Sequence, residues 1–549
     1  MTTPGIPSHD VLIVGGGLAG LTLALQLRRR MPDIDVVVLE RRIHPVPHAA
    51  HKVGESSVEI GAHYFDTVLG LKQHMQQAQL RKFGFRFFFS EGRRDIQNVT
   101  ELGASGYLST PSYQIDRGIF ENYLALQATS LGVPFVDDAV VHGISMGAEG
   151  KPHVVEWQRA GERRQSSGKW LIDASGRAAL LKRKLALAQP NAHDVHAVWF
   201  RISSRITLDD WSDDAAWQAR CEPKARWLST NHLCGAGYWV WLIPLASGSH
   251  SVGIVADSKL HPLECMDSFE KSMRWLSQYQ PRLYEALADR QDQVQDFRFL
   301  SKFSYGCKTV FSADRWALTG EAGLFLDPFY SPGSDFIAMS NTFVCDLVER
   351  ERSGRAIAAR AQVYDRLYHS FYDSMLTLYQ DQYPLFGDAQ VLPVKVIWDY
   401  TYYWAVLSQV FFQGRLTDLA SMAGVQQELG HCQELNAAMQ RFLREWSQET
   451  DKRDRGGFLD QAKLDWFAKL NASLTVPCAD AQDFCRRIRH GFQLLCTLAW
   501  QIRSRAGALY PQVSNHCLNE LLNQHLHCVL RGPEQDSMLF PLSESGAQG

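Results

Sequence analysis

The sequence predicts an α/β fold: an N-terminal Rossmann-like βαβ domain, an inserted β-sheet, and a mostly helical C-terminal region. Three observations predict it. An apolar run at 10–14 leads straight into Gly15-x-Gly17-x-x-Gly20 and a helical pattern. Strand-like alternation recurs at 197–206 and 238–254, more β than a doubly wound domain needs. Beyond about residue 350 the apolar period is mostly helical, with breaks near Pro384, Pro393, 454–457 and Pro477.

The elements follow in order. Residues 10–14 read as a buried parallel strand, and 21–31 as a helix ending in an arginine triplet that suits the negative end of its dipole. Residues 34–39 form the second strand, closed by Glu40. A loop and a helix fill 44–79, a strand 86–89, and a helix begins at Asp116-Arg117 and runs to about 131. Strands are expected at 134–141, 153–158 and 169–172, the last ending in Asp173-Ala-Ser-Gly-Arg177. Another buried strand at 315–319 leads into Gly320-Glu-Ala-Gly323, and a long helix starts near Ser334. The expected organisation is a nucleotide-binding domain over 1–345 with an interleaved substrate-domain sheet at about 190–310. A helical region over 346–549 covers the substrate chamber, and the tail after Gly532 is expected to pack poorly.

Composition narrows the function classes. The 549 residues suffice for two to four domains at roughly 100–200 residues each. A net charge of −3 calls for neither nucleic acid nor an anionic membrane as partner. The eleven cysteines form no CxxC pair and no metal-ligand spacing, so no metal is expected and the chain reads as cytoplasmic with reduced thiols. No apolar window reaches about 18 residues; in the nearest, 394–412, Lys395, Asp399, Ser408 and Gln409 interrupt it. The first ten residues show no leader pattern.

Gly15, Gly17 and Gly20 allow a tight turn, close approach of backbone to a pyrophosphate and close helix–strand packing, and the N-terminus of the following helix adds a favourable dipole for the phosphates. Glu40 stands 20 residues after Gly20, where an acid binds ribose hydroxyls. This ordered set predicts dinucleotide binding.

Later segments carry a resemblance. Arg117 opening a helix, the Asp173 turn, and Thr319-Gly-Glu-Ala-Gly-x-x-x-Asp327-Pro328 together resemble FAD-dependent monooxygenases; a second glycine motif for a nicotinamide cofactor is absent. Trp239-x-Trp241-x-Ile243-Pro244, the segment 51–56, Lys82-Phe83-Gly84-Phe85 and Asp327-Pro-Phe-Tyr-Ser-Pro-Gly333 narrow this, over about 10–345, to a resemblance to flavin-dependent halogenases of the tryptophan-halogenase-like family. The resemblance implies FAD held by Gly15, Gly17, Leu18, Ala19, Gly20, Glu40, Arg117, Glu321, Asp327 and Gly333. It implies reduced flavin supplied by a separate reductase, and halide held near Ser331, Gly333 and Ser334. Lys82 would steer hypohalous acid, Trp239 and Trp241 would separate flavin from substrate, and Tyr330 takes a catalytic position. The substrate would be an electron-rich, aromatic small molecule, free or carrier-bound.

The sequence departs from the family at four places. Glu321 stands where the family has Asp, and Pro332, which has no N–H, where it has Ser or Thr. Tyr330 stands where tryptophan halogenases carry a glutamate, and Asp335 adds a carboxylate that would repel halide if ionised. An anion site one donor short binds more weakly. A monooxygenase or dehydrogenase without halide chemistry is the second reading, and a non-catalytic flavin-binding protein the third. The aromatic-rich stretch 398–412 is a candidate wall of the substrate chamber.

Overall fold

The computed structural model describes residues 6–48, 54–148, 150–513, 516–530 and 538–540. They form two compact units: Met1–Gln79, Ile115–Ala192 and Ser304–Tyr372 make the first, and Leu80–Gln114, His193–Phe303 and Asp373–Gly549 the second.

The first unit is built on a seven-stranded sheet. Phe135–Val136, Val36–Leu39, Ser8–Val14 and Glu162–Asp173 lie side by side in parallel. The last of these strands is long enough to serve two partners. Its first half pairs antiparallel with His153–Arg159, and its last residues pair parallel with Trp316–Leu318. Val14, Asp173 and Leu318 align in register, and Leu39 pairs with Val14, so four strands end together. The loops leaving that carboxyl edge are the segments with the glycine motif, Glu40, the Asp173 turn and Gly320–Ala322. Leu18–Arg30 and Gly333–Arg352 are the principal helices beside them.

The second unit carries an eight-stranded sheet. Its order is Val294–Leu300, Val195–Ile202, His250–Asp257, Tyr238–Pro244, Thr230–Gly235, Phe85–Phe88, Thr100–Gly103 and Gly457–Asp460. Alternation decides its two faces. Phe88, Val198, Phe200, Tyr238, Val240 and Ile254 belong to a core that includes residues of the helices Phe269–Tyr279 and Pro281–Ala288. The alternate positions Phe85, Phe87, His232, Trp239 and Trp241 line the opposite face. The phenylalanines around Lys82 are thus divided by the pleat: Phe88 joins the core, and Phe83 packs with Cys221 and Ala225.

The C-terminal part is helical as expected, with Ala358–Leu376, Gln426–Glu449 and Ala481–Leu509 its longest members. The break near Pro393 is the turn before Leu392–Tyr402, and Pro393 itself lies in the first turn of that helix, where a missing N–H costs nothing. Two local features differ from the sequence reading. The break at 454–457 is followed by Gly457–Asp460, which pairs with Thr100–Gly103. Within the tail after Gly532, Met538, Leu539 and Phe540 are buried, and the Met538 and Phe540 carbonyls accept hydrogen bonds from Trp466 and Arg505; the rest of it lies outside the described residues. Among the described residues no helix is long and apolar enough to cross a membrane, and no group of His, Cys, Asp and Glu could hold a metal.

Two buried histidines predict acid sensitivity. His250 is fully buried and its Nδ1 accepts the Ile206 N–H, which requires a neutral ring. Burial pushes its pKa down to about 3 and that of His196 to about 4. The unfolded chain titrates near 6.5. The folded values are depressed, so the unfolded state takes up protons first. Stability is therefore complete above about pH 6.5 and falls as pH drops toward 4. Melting temperatures at pH 7.5, 6 and 5 check this; a midpoint constant across the series would refute it.

Candidate functional site

The glycine loop is sterically committed. Gly15 has φ +111°, and its N–H donates to Leu39 O at 2.8 Å. A Cβ on Gly20 would stand 1.9 Å from the Gly15 carbonyl oxygen. Gly17 caps the helix Leu18–Arg30. Among the described residues, no backbone acceptor takes the N–H groups of Leu18, Ala19 and Gly20. The result is a bare backbone cradle at the positive end of a helix, which fits a pyrophosphate. Glu40 closes it. Its Oε2 accepts the Gly16 N–H at 2.6 Å and its Oε1 the Arg42 N–H at 2.8 Å. Each oxygen retains a lone pair for a ribose hydroxyl. Gly20→Ala is expected to abolish flavin retention, because the clash is with backbone that cannot turn aside. The flavin absorbance of the purified variant checks it, and a yellow protein would refute the steric argument.

The other flavin candidates occupy the same unit. Arg117 is half-buried at the head of Arg117–Ser130; its Nη2 reaches Glu121 at 2.6 Å and its Nη1 the Gly54 carbonyl at 3.3 Å. Glu55, from the 51–56 segment, accepts the Ile115 N–H at 2.7 Å; residues 51–53 lie outside the described residues. Glu321 is ion-paired with Arg177 at 2.8 Å. Asp327 is buried, and its Oδ1 caps Phe329 N–H at 2.9 Å, starting the short turn Pro328–Tyr330. Asp173 accepts the N–H groups of Ser175 and Leu181, which shapes the turn after its strand. Burial raises its pKa against those bonds.

Beyond Asp327 the chain makes an anion-friendly corner. Tyr330 is buried, edge-on to Phe329 with centroids 4.7 Å apart. Ser331 adopts a left-handed conformation at φ +52°, a strain of roughly 1–2 kcal/mol for a non-glycine residue. Its N–H closes on the Pro328 carbonyl at 2.9 Å, so it offers no backbone donor. Pro332 accepts from Asp335 and Phe336, and the helix Gly333–Arg352 follows. Gly333 is exposed, and a Cβ there would meet nothing within 4 Å. Among the described residues no acceptor takes the N–H of Gly333 or of Ser334. These two donors head a 20-residue helix. Asp335, the carboxylate expected to repel halide, is buried, and its Oδ1 accepts the Gly61 N–H at 2.8 Å. That contact ties the helix to Glu59–His63.

The second unit carries the remaining candidates. Lys82 is buried, with its Nζ 4.1 Å from the centroid of the Phe85 ring and its backbone N–H on Ser112 O. Phe85 meets His232 edge-on at 5.3 Å and Tyr400 at 5.9 Å. His232 stacks on Phe87 at 4.6 Å and lies 4.9 Å from Trp239. Trp239 and Trp241 project from the same side of their strand, 5.7 Å apart. Hydrogen bonds fix both indoles, Trp239 Nε1 to Tyr383 Oη at 3.0 Å and Trp241 Nε1 to Ser251 Oγ at 3.1 Å. Gly253, opposite Trp241, makes room for that indole: a Cβ there would lie 2.2 Å from it. Lys82, from the segment before Phe85–Phe88, therefore sets its Nζ against a ring on the sheet face that also carries the two tryptophans.

Sequence reasoning passed over His232 and Tyr383. The alternation of 230–235 and the following Gly235-Ala-Gly237 turn signal a hairpin that would have placed His232 opposite Trp241. Tyr383 has no such local signal. Of the aromatic stretch 398–412, Tyr400 reaches Phe85, whereas Trp398 donates to Asn436 inside the helical region.

Comparison with known proteins agrees with this layout. A family model described as an FAD binding domain matches residues 8–254. A protein named flavin-dependent halogenase chlA, from Dictyostelium discoideum, is 25% identical over 74% of this chain and 71% of its own. A 1H-pyrrole-2-carbonyl peptidyl-carrier-protein chlorinase from Pseudomonas fluorescens is 26% identical over 59% of this chain and 72% of its own. Among solved structures, halogenase PltM in complex with phloroglucinol and FAD matches with a TM-score of 0.62 at 17% identity, covering 96% of this chain and 98% of that one. That likeness establishes the fold.

Proposed function

From the premise that this chain is an FAD-dependent oxidoreductase belonging with the flavin-dependent halogenases, we propose that it halogenates an electron-rich aromatic substrate. The observation that carries the proposal is the buried Lys82 on the sheet face that also bears Trp239 and Trp241.

FAD, when bound and reduced by a separate reductase, would supply the two electrons and two protons that, with one further proton from solvent, let O₂ and halide become hypohalous acid and water. The chain's residues do the rest. Gly15, Gly17 and the N–H groups of Leu18, Ala19 and Gly20 hold the pyrophosphate, and Glu40 orients a ribose. Arg117, Glu321, Asp327 and Gly333 surround the remainder of the cofactor. The N–H groups of Gly333 and Ser334 hold the halide, and the Ser334 hydroxyl is a further donor. With Asp335 bonded to Gly61, its carboxylate is turned to backbone rather than to the anion. Tyr330 walls this corner. Lys82 hydrogen-bonds hypohalous acid at Nζ, or takes the halogen on nitrogen with release of water. The aromatic carbon then receives the halogen and loses a proton. Trp239 and Trp241, whose indoles are held by Tyr383 and Ser251, take the role that the resemblance gives them, keeping flavin and substrate chemistry apart. The chlorinase relative's carrier-protein substrate supports a carrier-bound aromatic acid as one candidate here.

Product mass spectrometry tests this. The protein, a reductase, FAD, a phenol and either bromide or chloride should yield product carrying the halogen. Oxidised product that never carries halogen would instead support the monooxygenase reading, which the missing donor at Pro332 favours. Pro332→Ser is expected to lower the KM for chloride by roughly fivefold, since one added hydrogen bond contributes about 1 kcal/mol. Kinetics with varied sodium chloride check it; an unchanged KM would remove residue 332 from the halide site.

A further inference from the structure

A cavity of about 620 Å³ lies in the second unit among Gly457–Asp460, Leu392–Tyr402, Gln426–Glu449 and Ala481–Leu509. It uses none of the residues assigned above to flavin, halide or hypohalous acid. Its volume falls in the small-molecule range of roughly 300–1,000 Å³. The floor is apolar, with Trp446, Leu464, Leu539 and Phe540 all buried. The polar side of the lining is one-signed: Arg453, Arg455, Lys463 and Arg505 against the single acid Asp460.

That acid does not neutralise the cations. Its Oδ1 accepts the N–H groups of Ser105 and Ala462. Arg453 is 4.0 Å from the exposed carboxylate of Asp451. Arg505 is half-buried, and its guanidinium donates to the Phe540 carbonyl rather than to a carboxylate. Burial pushes its pKa down. Two buried polar atoms of the lining, Trp446 Nε1 and Asp460 Oδ2, have no hydrogen-bond partner among the described residues. A half-buried guanidinium without an anion is costly.

We propose that this cavity binds an organic anion with an apolar body, its carboxylate or phosphate held by Arg455, Lys463 and Arg505 and its body resting on Trp446 and Phe540. Planar guanidinium forks match either head group bidentately. The apolar floor excludes a free inorganic ion as the preferred occupant, because such an ion leaves the floor wet.

Calorimetry on the full FAD-loaded chain tests this, using sodium dodecanoate, dodecyl phosphate and the uncharged dodecyl maltoside, each below its micelle concentration. At least one of the two anions should bind about tenfold or more tighter than the maltoside, a gap of about 1.4 kcal/mol. Tighter binding of dodecanoate assigns a free acid, and tighter binding of dodecyl phosphate a phosphate ester. The double variant Arg455→Glu with Lys463→Glu alters two exposed residues, so it should keep the parent melting temperature while weakening the anion by about tenfold or more. A diazirine-bearing fatty acid should label peptides containing 393–394, 446 or 539–540. Equal binding of charged and uncharged amphiphiles, an unchanged affinity in the folded double variant, or labelling confined to other peptides would each overturn the proposal.

Discussion

Replacing Lys82 by methionine is expected to lower halogenation by about a hundredfold or more while leaving flavin retention and oxygen consumption unchanged. The stem of Lys82 fills apolar space beside Phe85, and methionine keeps that volume, so the change removes the amine and little else. The flanking backbone is held independently. Lys82 N–H bonds Ser112 O, Phe83 N–H bonds Leu228 O, and the Gly84 carbonyl accepts Thr230 N–H. Arginine should not rescue, since its wide planar fork neither fits beside the Phe85 ring nor forms a haloamine. Halogen in the product and oxygen uptake are measured on the same samples. Wild-type halogenation by the methionine variant would show that Nζ takes no part.

The largest stability effect is expected at Glu101. This fully buried carboxylate receives Arg86 and, at 2.9 Å, Arg226 Nε, while Arg226 Nη1 reaches Asp209 at 3.0 Å. The Arg226 guanidinium also lies over the Trp217 ring at 3.9 Å. Glu101→Gln preserves the shape and deletes the charge, leaving two buried guanidiniums with Asp209 alone. Breaking a buried pair in this way costs about 3–5 kcal/mol. The expected readout is a lower urea midpoint for the transition of the second unit, followed through its tryptophans. A shift equivalent to less than about 1 kcal/mol would mean that water reaches the cluster. Glu101 sits in Thr100–Gly103, beside the strand that starts at Phe85, so the same lesion should loosen that strand pair next to Lys82.

Much of the first unit was legible in sequence because its information is local. A strand, a glycine turn and a helix follow one another within 10–30; within that loop Gly15 is demanded by its positive φ and Gly20 by the Gly15 carbonyl. The unusual residues at 330–335 were equally visible, but their meaning was not. Asp335 reads as a carboxylate beside an anion site until the fold brings Gly61 N–H to it from 274 positions away. Ser331 reads as a donor until its N–H turns back on Pro328. The second unit was less legible because its partnerships are long-range. Thr230–Gly235 pairs in parallel with Phe85–Phe88, and Gly457–Asp460 pairs with Thr100–Gly103, across more than a hundred residues each. No local pattern encodes such pairing.

The sequence by itself determined that this chain carries a dinucleotide-binding motif, since a strand, a glycine turn and a helix within 10–30 are a short-range signal with steric causes; Lys82, Trp239 and Trp241 stood out by resemblance alone. Only the tertiary structure decided which side of the second sheet Lys82, His232 and the two indoles share, where Asp335 spends its charge, and that four cations gather over an apolar cavity. Those outcomes depend on strand register and helix packing, where free energy is shared among residues far apart in the chain.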